Sequence, residues 1–348
     1  MDLRVLVIGG TGFISGYVTR RLLADRHQVA IFHRGATGSD VGAQVTEIFG
    51  DRHELPSYRQ QFQKFSPGVV IDTIGLTEED GHQLTETFRG LAQRTVVISS
   101  ADVYRSYELL RGIGDDVPDP APLRETSPLR TKLFPYRSAA KDSSDRFYNY
   151  DKILVESAVM ADPDLPATVL RLPAVYGPGD KQRRLFPVLK RMDDKRPAIL
   201  LEREWVNWKW TRGYVENVAA VICAAVGDEN SSGRIYNVGE HRGLSQSEWI
   251  GSIAAEVGWK GRIVAVEPTD LPEQMRSKLS WKHHLETDTT LIRNLNGFSE
   301  PVSFAEGLRK SIHWERRNPP AEIKAEDFDY AAEDRVLAKL GFETSDKL

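Results

Sequence analysis

A short apolar run, Val5-Leu6-Val7-Ile8, ends in Gly9-Gly10-Thr11-Gly12-Phe13-Ile14 and passes at once into a helical pattern. No other stretch limits the fold so tightly. An apolar run of this length without polar alternation suits a strand buried on both faces. Glycines suit a sharp turn and a close approach of backbone. A helix that starts straight after them turns its unpaired N–H groups and the positive end of its dipole toward an anion. The grammar is strand, turn, helix with a phosphate at the turn: Gly9 for the sharp bend, Gly12 where backbone meets a pyrophosphate. Ser15 stands where a third glycine would ease helix–strand contact, with Gly16 one place later, so a slightly wider approach is expected there.

After the turn, Ile14, Val18, Leu22 and Leu23 recur with helical spacing. Further strands are expected at 27–32, ending in His33-Arg34, at 45–49, ending in Gly50-Asp51, at 68–73, at 94–100 and at 167–172. Helical segments between strands mean right-handed crossovers and a parallel sheet covered on both faces. Ligands of such sheets gather at the C-terminal strand ends, where Gly9, Arg34, Asp51, Thr73 and Ser100 fall. The stretch 107–147 is rich in Pro, Asp and Arg and long for a connection, which marks a functional loop. Later helices are expected at 185–192, at 246–257 behind Ser245 or Ser247, and at 330–340 before Gly341.

The 348 residues carry 46 Lys and Arg against 50 Asp and Glu, a net charge of −4, which argues against a protein held to nucleic acid by bulk charge. The single cysteine, Cys223, lies in an apolar run and reads as a core residue in a reducing compartment. No apolar run approaches the roughly 20 residues of a membrane span. Met1-Asp2-Leu3-Arg4 leads directly into the first strand without a secretory pattern. The expected location is the cytoplasm, with no membrane and no nucleic acid as partner.

Two further stretches carry chemistry. Tyr148-Asn149-Tyr150-Asp151-Lys152 puts a tyrosine and a lysine four apart, on one face if the segment is helical. A lysine there would lower the phenol pKa from about 10 and could also hold a cofactor ribose. Tyr136 and Lys141, five apart, would point about 140° away from each other on a helix. Ser99-Ser100-Ala101-Asp102-Val103-Tyr104 follows the fifth strand, and a serine hydroxyl there could bond a reacting oxygen or simply cap a turn.

In this order and spacing the motifs resemble those of the extended short-chain dehydrogenase/reductases, the group of nucleotide-sugar epimerases, dehydratases and reductases. They are Gly-Gly-Thr-Gly-Phe-Ile at 9–14, Ser-Ser-x-x-Val-Tyr at 99–104, Tyr-x-x-x-Lys at 148–152 with Glu156 after it, Arg171-Leu172-Pro173-Ala174-Val175-Tyr176-Gly177-Pro178-Gly179, and Tyr236-Asn237-Val238-Gly239. The resemblance implies a doubly wound α/β (Rossmann) sheet with a smaller C-terminal substrate lobe. Residues 1–175 with return segments near 211–240 would form the cofactor domain, and 176–210 with 241–348 the lobe and tail. It implies Tyr148 as acid/base, Lys152 as its modulator and ribose ligand, and Ser100 as the polarising hydroxyl. Gly9, Gly12 and the backbone of Thr11, Phe13 and Ile14 would hold the pyrophosphate, Asp51 the adenine, and Thr73, Ile74 and Gly75 the nicotinamide side.

Departures narrow the expectation. His33-Arg34 replaces the aspartate that NAD-preferring relatives carry after the second strand, and a cation at Arg34 favours NADP over NAD. Ala101 disfavours a 4,6-dehydratase. Trp210 occupies the place of the family's diphosphate-gripping arginine, and Arg212 comes two residues late. Trp205, Trp208 and Trp210 would either line a substrate pocket or pack. Of Arg183, Arg184, Lys190 and Arg191, a solvated surface is the expected account. His283-His284 lacks partners at metal-ligand spacing, so no metal site is expected. The chain is expected to be an NAD(P)-dependent epimerase or reductase of a sugar-like or nucleotide-sugar alcohol or ketone, by analogy a homodimer. The alternatives are a reductase of a non-sugar metabolite and a non-catalytic binding protein on the same fold.

Overall fold

A computed structural model describes residues 2–35, 44–114, 117–296 and 298–342. Strand β1 is Arg4–Ile8 and helix α1 Phe13–Ala24, followed by β2 Gln28–His33, β3 Thr46–Phe49, α2 Arg59–Phe65, β4 Val69–Asp72, α3 Glu78–Phe88 and β5 Arg94–Ser100. Next come α4 Arg105–Leu110, α5 Lys152–Met160, β6 Ala167–Leu172, β7 Ala174–Tyr176, α6 Phe186–Asp193, β8 Ala198–Glu202, β9 Lys209–Trp210 and β10 Arg212–Tyr214. The chain continues with α7 Val215–Gly227, β11 Ile235–Asn237, β12 Leu244–Ser245, α8 Gln246–Val257, β13 Arg262–Val266, α9 Phe304–Arg317 and α10 Tyr330–Lys339.

Seven strands form one parallel sheet in the order β11-β6-β5-β4-β1-β2-β3. Side chains alternate across it, so the two faces collect different halves of each apolar run. Val5, Val7, Ile31 and Ile71 join Val18 and Leu22 of α1 and the apolar face of α7 on one side. Leu6, Ile8, Phe32 and Val70 meet Leu84 and Phe88 of α3 and Val155 and Val159 of α5 on the other. Both faces are covered, which is why the strands show no polar alternation. Fully burying each such side chain stabilises by about 1.5–3 kcal/mol. Cys223 of α7 is buried in the first of these cores. The chain runs outward from β1 to β3 and returns to β4 beside β1, so the sheet's switch point lies between β1 and β4. That point opens a crevice above the glycine turn.

Capping follows the sequence signals. Ser245 caps α8 reciprocally with Glu248, and Pro187 sits in the first turn of α6. Smaller pairings, β8 with β13 and β9 with β12, lie outside the main sheet. Among the described residues no helix is long and apolar enough to cross a membrane.

One expectation fails. The segment before Lys152 is not helical. Asp151 has extended backbone and its side chain accepts from the Ile153 amide, so α5 starts at Lys152. Asp151 is wholly buried, and its oxygens also take Arg130 Nη2 at 3.1 Å and the Phe134 amide at 2.7 Å. Its own amide donates to Leu76 O at 2.9 Å. One carboxylate therefore ties the 107–147 connection, the start of α5 and the loop after β4 together.

A half-buried acid sits at the seam where β10 pairs with β7. Tyr176 donates to Glu240 at 2.8 Å, and burial pushes the Glu240 carboxyl up to about 7. The folded state thus holds this proton more tightly than the unfolded chain. The resulting stability is present below the ordinary glutamate range and lost as pH rises through about 7.

Two outcomes are expected. Arg130→Ala leaves Asp151 charged and unpaired in the interior and should cost about 3–5 kcal/mol, read as a lowered denaturant midpoint at unchanged slope. Glu240→Gln should flatten the loss of melting temperature between pH 5 and pH 8 shown by the parent protein; an identical loss in both would contradict the assignment.

Candidate active site

Gly9 adopts φ +87°, and a Cβ there would lie 2.7 Å from Ile74 Cγ2 and 2.8 Å from Thr73 Oγ1. The turn can thus be made only by glycine. Close approach to the sheet falls on Gly10, where a Cβ would come within 2.5 Å of Ile31 Cγ2. Gly16 meets nothing nearer than the Arg20 guanidinium at 3.7 Å, so it does not relieve helix–strand crowding. Ser15 turns back into the loop. Its hydroxyl accepts from Gly12 N at 2.8 Å and donates to Gly9 O at 2.6 Å, closing the turn on itself. No acidic residue stands in the first turn of α1, so an anion at its N-terminus meets no repulsion there.

Beside this turn a cleft of about 460 Å³ is lined by Gly9, Thr11, Gly12, Arg34, Asp51, Thr73 and Ile74, among others. Asp51 accepts the His53 amide at 2.9 Å, and Thr73 donates to Ile8 O at 2.7 Å. Phe13, Ile14 and Gly75 are not part of this lining. Phe13 faces a separate recess with Tyr17, Arg20 and Trp314. The Ile14 side chain packs onto the sheet core. Gly75 turns its amide to Asp72 Oδ1 at 2.9 Å and its carbonyl to the Lys152 ammonium. Lys152 also donates to Ile98 O at 2.8 Å. Burial lowers its pKa, opposed chiefly by Asp72 and Asp102.

A second cavity, about 640 Å³, opens over the ends of β5 and β6. Its wall holds Ser100, Asp102, Tyr107, Tyr136, Phe147, Tyr150, Arg184 and Trp210. The long connection expected to be functional therefore supplies much of one side, and α4 with Tyr107 begins it. Asp102 Oδ2 accepts Tyr150 at 2.8 Å and Tyr136 at 2.9 Å, and the Tyr136 and Tyr107 hydroxyls are 3.0 Å apart. Asp102 Oδ1 is buried and takes no hydrogen bond among the described residues. Burial raises the Asp102 carboxyl above the usual carboxylate range, against the pull of Tyr150, Arg130, Tyr136 and Lys152. Burial and the nearby Asp102 raise both phenols, with Ser100 bonding opposing this at Tyr150. These tyrosines hold their protons firmly. Ser100 itself accepts the Asp102 amide at 3.2 Å, so it caps the turn and borders the cavity at once.

Tyr148 lies outside α5, so it does not share a helix face with Lys152. Its ring stacks under the Arg137 guanidinium at 4.8 Å, its carbonyl accepts Arg137 Nε at 3.1 Å, and it is not part of the cavity lining. The tyrosine facing Ser100 and Asp102 is Tyr150, two residues on. Its signal was the Asp151 N-cap directly before Lys152-Ile153-Leu154, which places Tyr148 before the helix starts.

Trp208 and Trp205 pack with Trp281 and Leu110, and Trp210 reaches the cavity from that cluster. Arg212 does not enter the cavity. It donates to Gln246 Oε1 at 2.8 Å and lies 4.5 Å over the Trp249 ring. Arg184 borders the cavity while paired to Asp180 at 2.7 Å. Arg183 pairs with Glu315, Lys190 with Asp194 and Arg191 with Glu333. Arg191 and Glu333 are buried, so these cations serve packing as well as the surface. Among the described residues no group of three His, Cys, Asp or Glu could hold a metal ion.

The motif residues meet behind the cavity. Arg171 forms a paired bond to Glu156 at 2.7 and 2.9 Å, Ser99 donates to Glu156, Arg171 reaches the Tyr104 hydroxyl at 3.1 Å, and Tyr104 donates to Asn237 at 2.6 Å.

The chain is similar to several known proteins. The chain is 31% identical to the 2′-dehydrokanamycin reductase of Streptomyces kanamyceticus, over 78% of this chain and 72% of that protein. It is 20% identical to the chloroplast stem-loop binding protein of 41 kDa b of Arabidopsis thaliana, over 97% of this chain and 84% of that one. The Bordetella bronchiseptica enzyme WbmG, solved in complex with NAD and UDP, shares the fold with a TM-score of 0.66 at 16% identity, covering 91% of this chain and 95% of its own. Residues 5–239 match the NAD dependent epimerase/dehydratase family, and the chain belongs to that family of enzymes.

Proposed function

We propose that the protein is an NAD(P)-dependent oxidoreductase that transfers hydride to or from a carbon bearing an alcohol or ketone on a sugar-like ring. The observation that carries this reading is the convergence of Ser100, Asp102 and Tyr150 on one cavity wall, beside a glycine turn shaped for a dinucleotide. The residues fit the cofactor: the Gly9 turn admits no Cβ, and α1 offers its N-terminus without a first-turn acid. Gly9, Thr11 and Gly12 would hold its phosphates, Asp51 and Arg34 its adenosine half, and Thr73 and Ile74 the approach to the nicotinamide. Arg34 is exposed on the cleft wall, where no carboxylate ends β2, which favours the 2′-phosphate of NADP over the bare ribose of NAD. When bound, the nicotinamide supplies or accepts the hydride.

The chain's own residues handle the oxygen. The Ser100 hydroxyl can donate to it, and Tyr150, held neutral by burial, can give it a proton as negative charge develops. That protonation state suits the reducing direction. The proton lost by Tyr150 can be restored from solvent in the open cavity, while Asp102, Tyr136 and Tyr107, the two tyrosine hydroxyls 3.0 Å apart, hold Tyr150 in place. Aromatic rings of Tyr107, Tyr136, Phe147 and Trp210 border a cavity of about 640 Å³, a size and surface suited to one small ring-bearing substrate. Arg212 is packed on Trp249 instead of facing the cavity, which weighs against a diphosphate grip like that of nucleotide-sugar relatives and toward a smaller sugar-like substrate. The name of the Streptomyces relative, a reductase, is in keeping with this.

Titration with NADPH and NADH should show saturable binding, tighter for NADPH; binding of neither would remove the basis of the reading. In a turnover screen of aminoglycoside ketones and nucleotide sugars, Tyr150→Phe should lower kcat about 10²-fold or more with dinucleotide affinity kept, and Tyr148→Phe should change it less than a few fold. The reverse pattern would restore Tyr148 as the acid.

A further inference from the structure

The two large recesses at the sheet's C-terminal edge share one residue of their linings, Arg146. It comes from the end of the long connection, just before Phe147, over whose ring its guanidinium lies at 4.4 Å. It is exposed and forms no ion pair among the described residues.

The charges around the cleft give that position meaning. Asp80 is consumed by the amides of Leu76 and Thr77, at 2.8 and 2.9 Å, and lies 3.6 Å from Arg52. Asp51 gives one oxygen to the His53 amide, and Arg52 is paired with Asp72 at 2.7 Å. The arginines bordering the cleft that form no ion pair among the described residues are Arg34 and Arg146. Arg34 follows β2, toward the β3 edge of the sheet, and Arg146 stands where the cleft meets the cavity over β5 and β6. The glycine turn after β1 lies between them in the strand order. Two unmatched cations on either side of a helix N-terminus suit a ligand carrying phosphate at more than one point.

We propose that Arg146 grips the bridging diphosphate of a dinucleotide bound in the cleft, while Arg34 serves only a phosphate on the far ribose. The proposal rests on the dinucleotide reading above. The two arginines then have separable signatures. A diphosphate is common to NAD(H) and NADP(H), so Arg146 should strengthen both equally. A 2′-phosphate belongs to NADP(H) alone, so Arg34 should matter for that pair only. A charge-assisted bond to phosphate is worth about tenfold in affinity or more.

The test is the dissociation constant of NADH and NADPH, by fluorescence titration, for the parent protein, Arg146→Ala, Arg146→Lys and Arg34→Ala. Melting curves check folding, which substitution of two exposed side chains should leave unchanged. Arg146→Ala should weaken both dinucleotides by the same factor, about tenfold, and Arg146→Lys should recover part of the loss. Arg34→Ala should weaken NADPH alone. Unchanged affinities in Arg146→Ala, or a loss confined to NADPH, would overturn the proposal while leaving the dinucleotide reading intact. A parent protein that binds neither dinucleotide would overturn both.

Discussion

The buried pair of Arg130 with Asp151 is the contact on which the site's arrangement depends. Neither side chain is more than 1% exposed, and each also serves backbone: Arg130 donates to Asp102 O at 2.5 Å and Lys132 O at 2.8 Å, and Asp151 accepts the Phe134 and Ile153 amides. A buried charge pair is favourable only when its remaining donors and acceptors are met, and here most of them are. The consequence is positional. Asp102 is held from its backbone side, α5 is made to begin at Lys152, and Tyr150 is left as the last residue before the cap. Helix, connection and strand end are fixed relative to one another by one pair.

The glycine turn shows the same economy of means. Ser15 supplies a side chain that bonds both Gly9 and Gly12, replacing the freedom a third glycine would give with a clamp. The family motifs divide likewise between chemistry and support. Tyr104, Glu156, Arg171 and Asn237 touch one another rather than the cavity lining, so their order along the chain records a buried network that holds β5, α5, β6 and β11 in place. Deleting a single member would leave the others buried and unsatisfied, which is more costly than the loss of any one bond.

Much of this was legible in the residues. Apolar runs without alternation located β1, β5 and β6, and the glycine cluster located the cleft, because both signals are local. Ser100, Arg34 and Asp51 border the recesses at the strand ends, and Lys152 opens α5 with its ammonium on the Gly75 and Ile98 carbonyls. What escaped depended on contacts distant in sequence. Regular helix across Asp151 would have put Tyr148 on a face with Lys152, yet Asp151 is an N-cap bonded to Arg130 and Phe134. Asp102 drew no role from the sequence, because its partners, Tyr136 and Tyr150, lie 34 and 48 residues away. The Pro- and Asp-rich connection gave no periodic pattern from which Tyr107, Tyr136 or Arg146 could be assigned a direction. Arg212 was near enough in sequence to a phosphate-binding position to be considered, and only the Trp249 ring and Gln246 show it to be occupied elsewhere.

The account therefore comes down to which tyrosine the connection delivers to the cavity. A crystal structure of the protein with bound NADPH decides this most directly. The hydroxyl of Tyr150 should lie beside Ser100 at the nicotinamide end of the cofactor, with Tyr148 still stacked on Arg137 and α5 beginning at Lys152. An α5 that extends back through Tyr148 and turns that hydroxyl into the cavity, with Tyr150 withdrawn from Asp102, would contradict it.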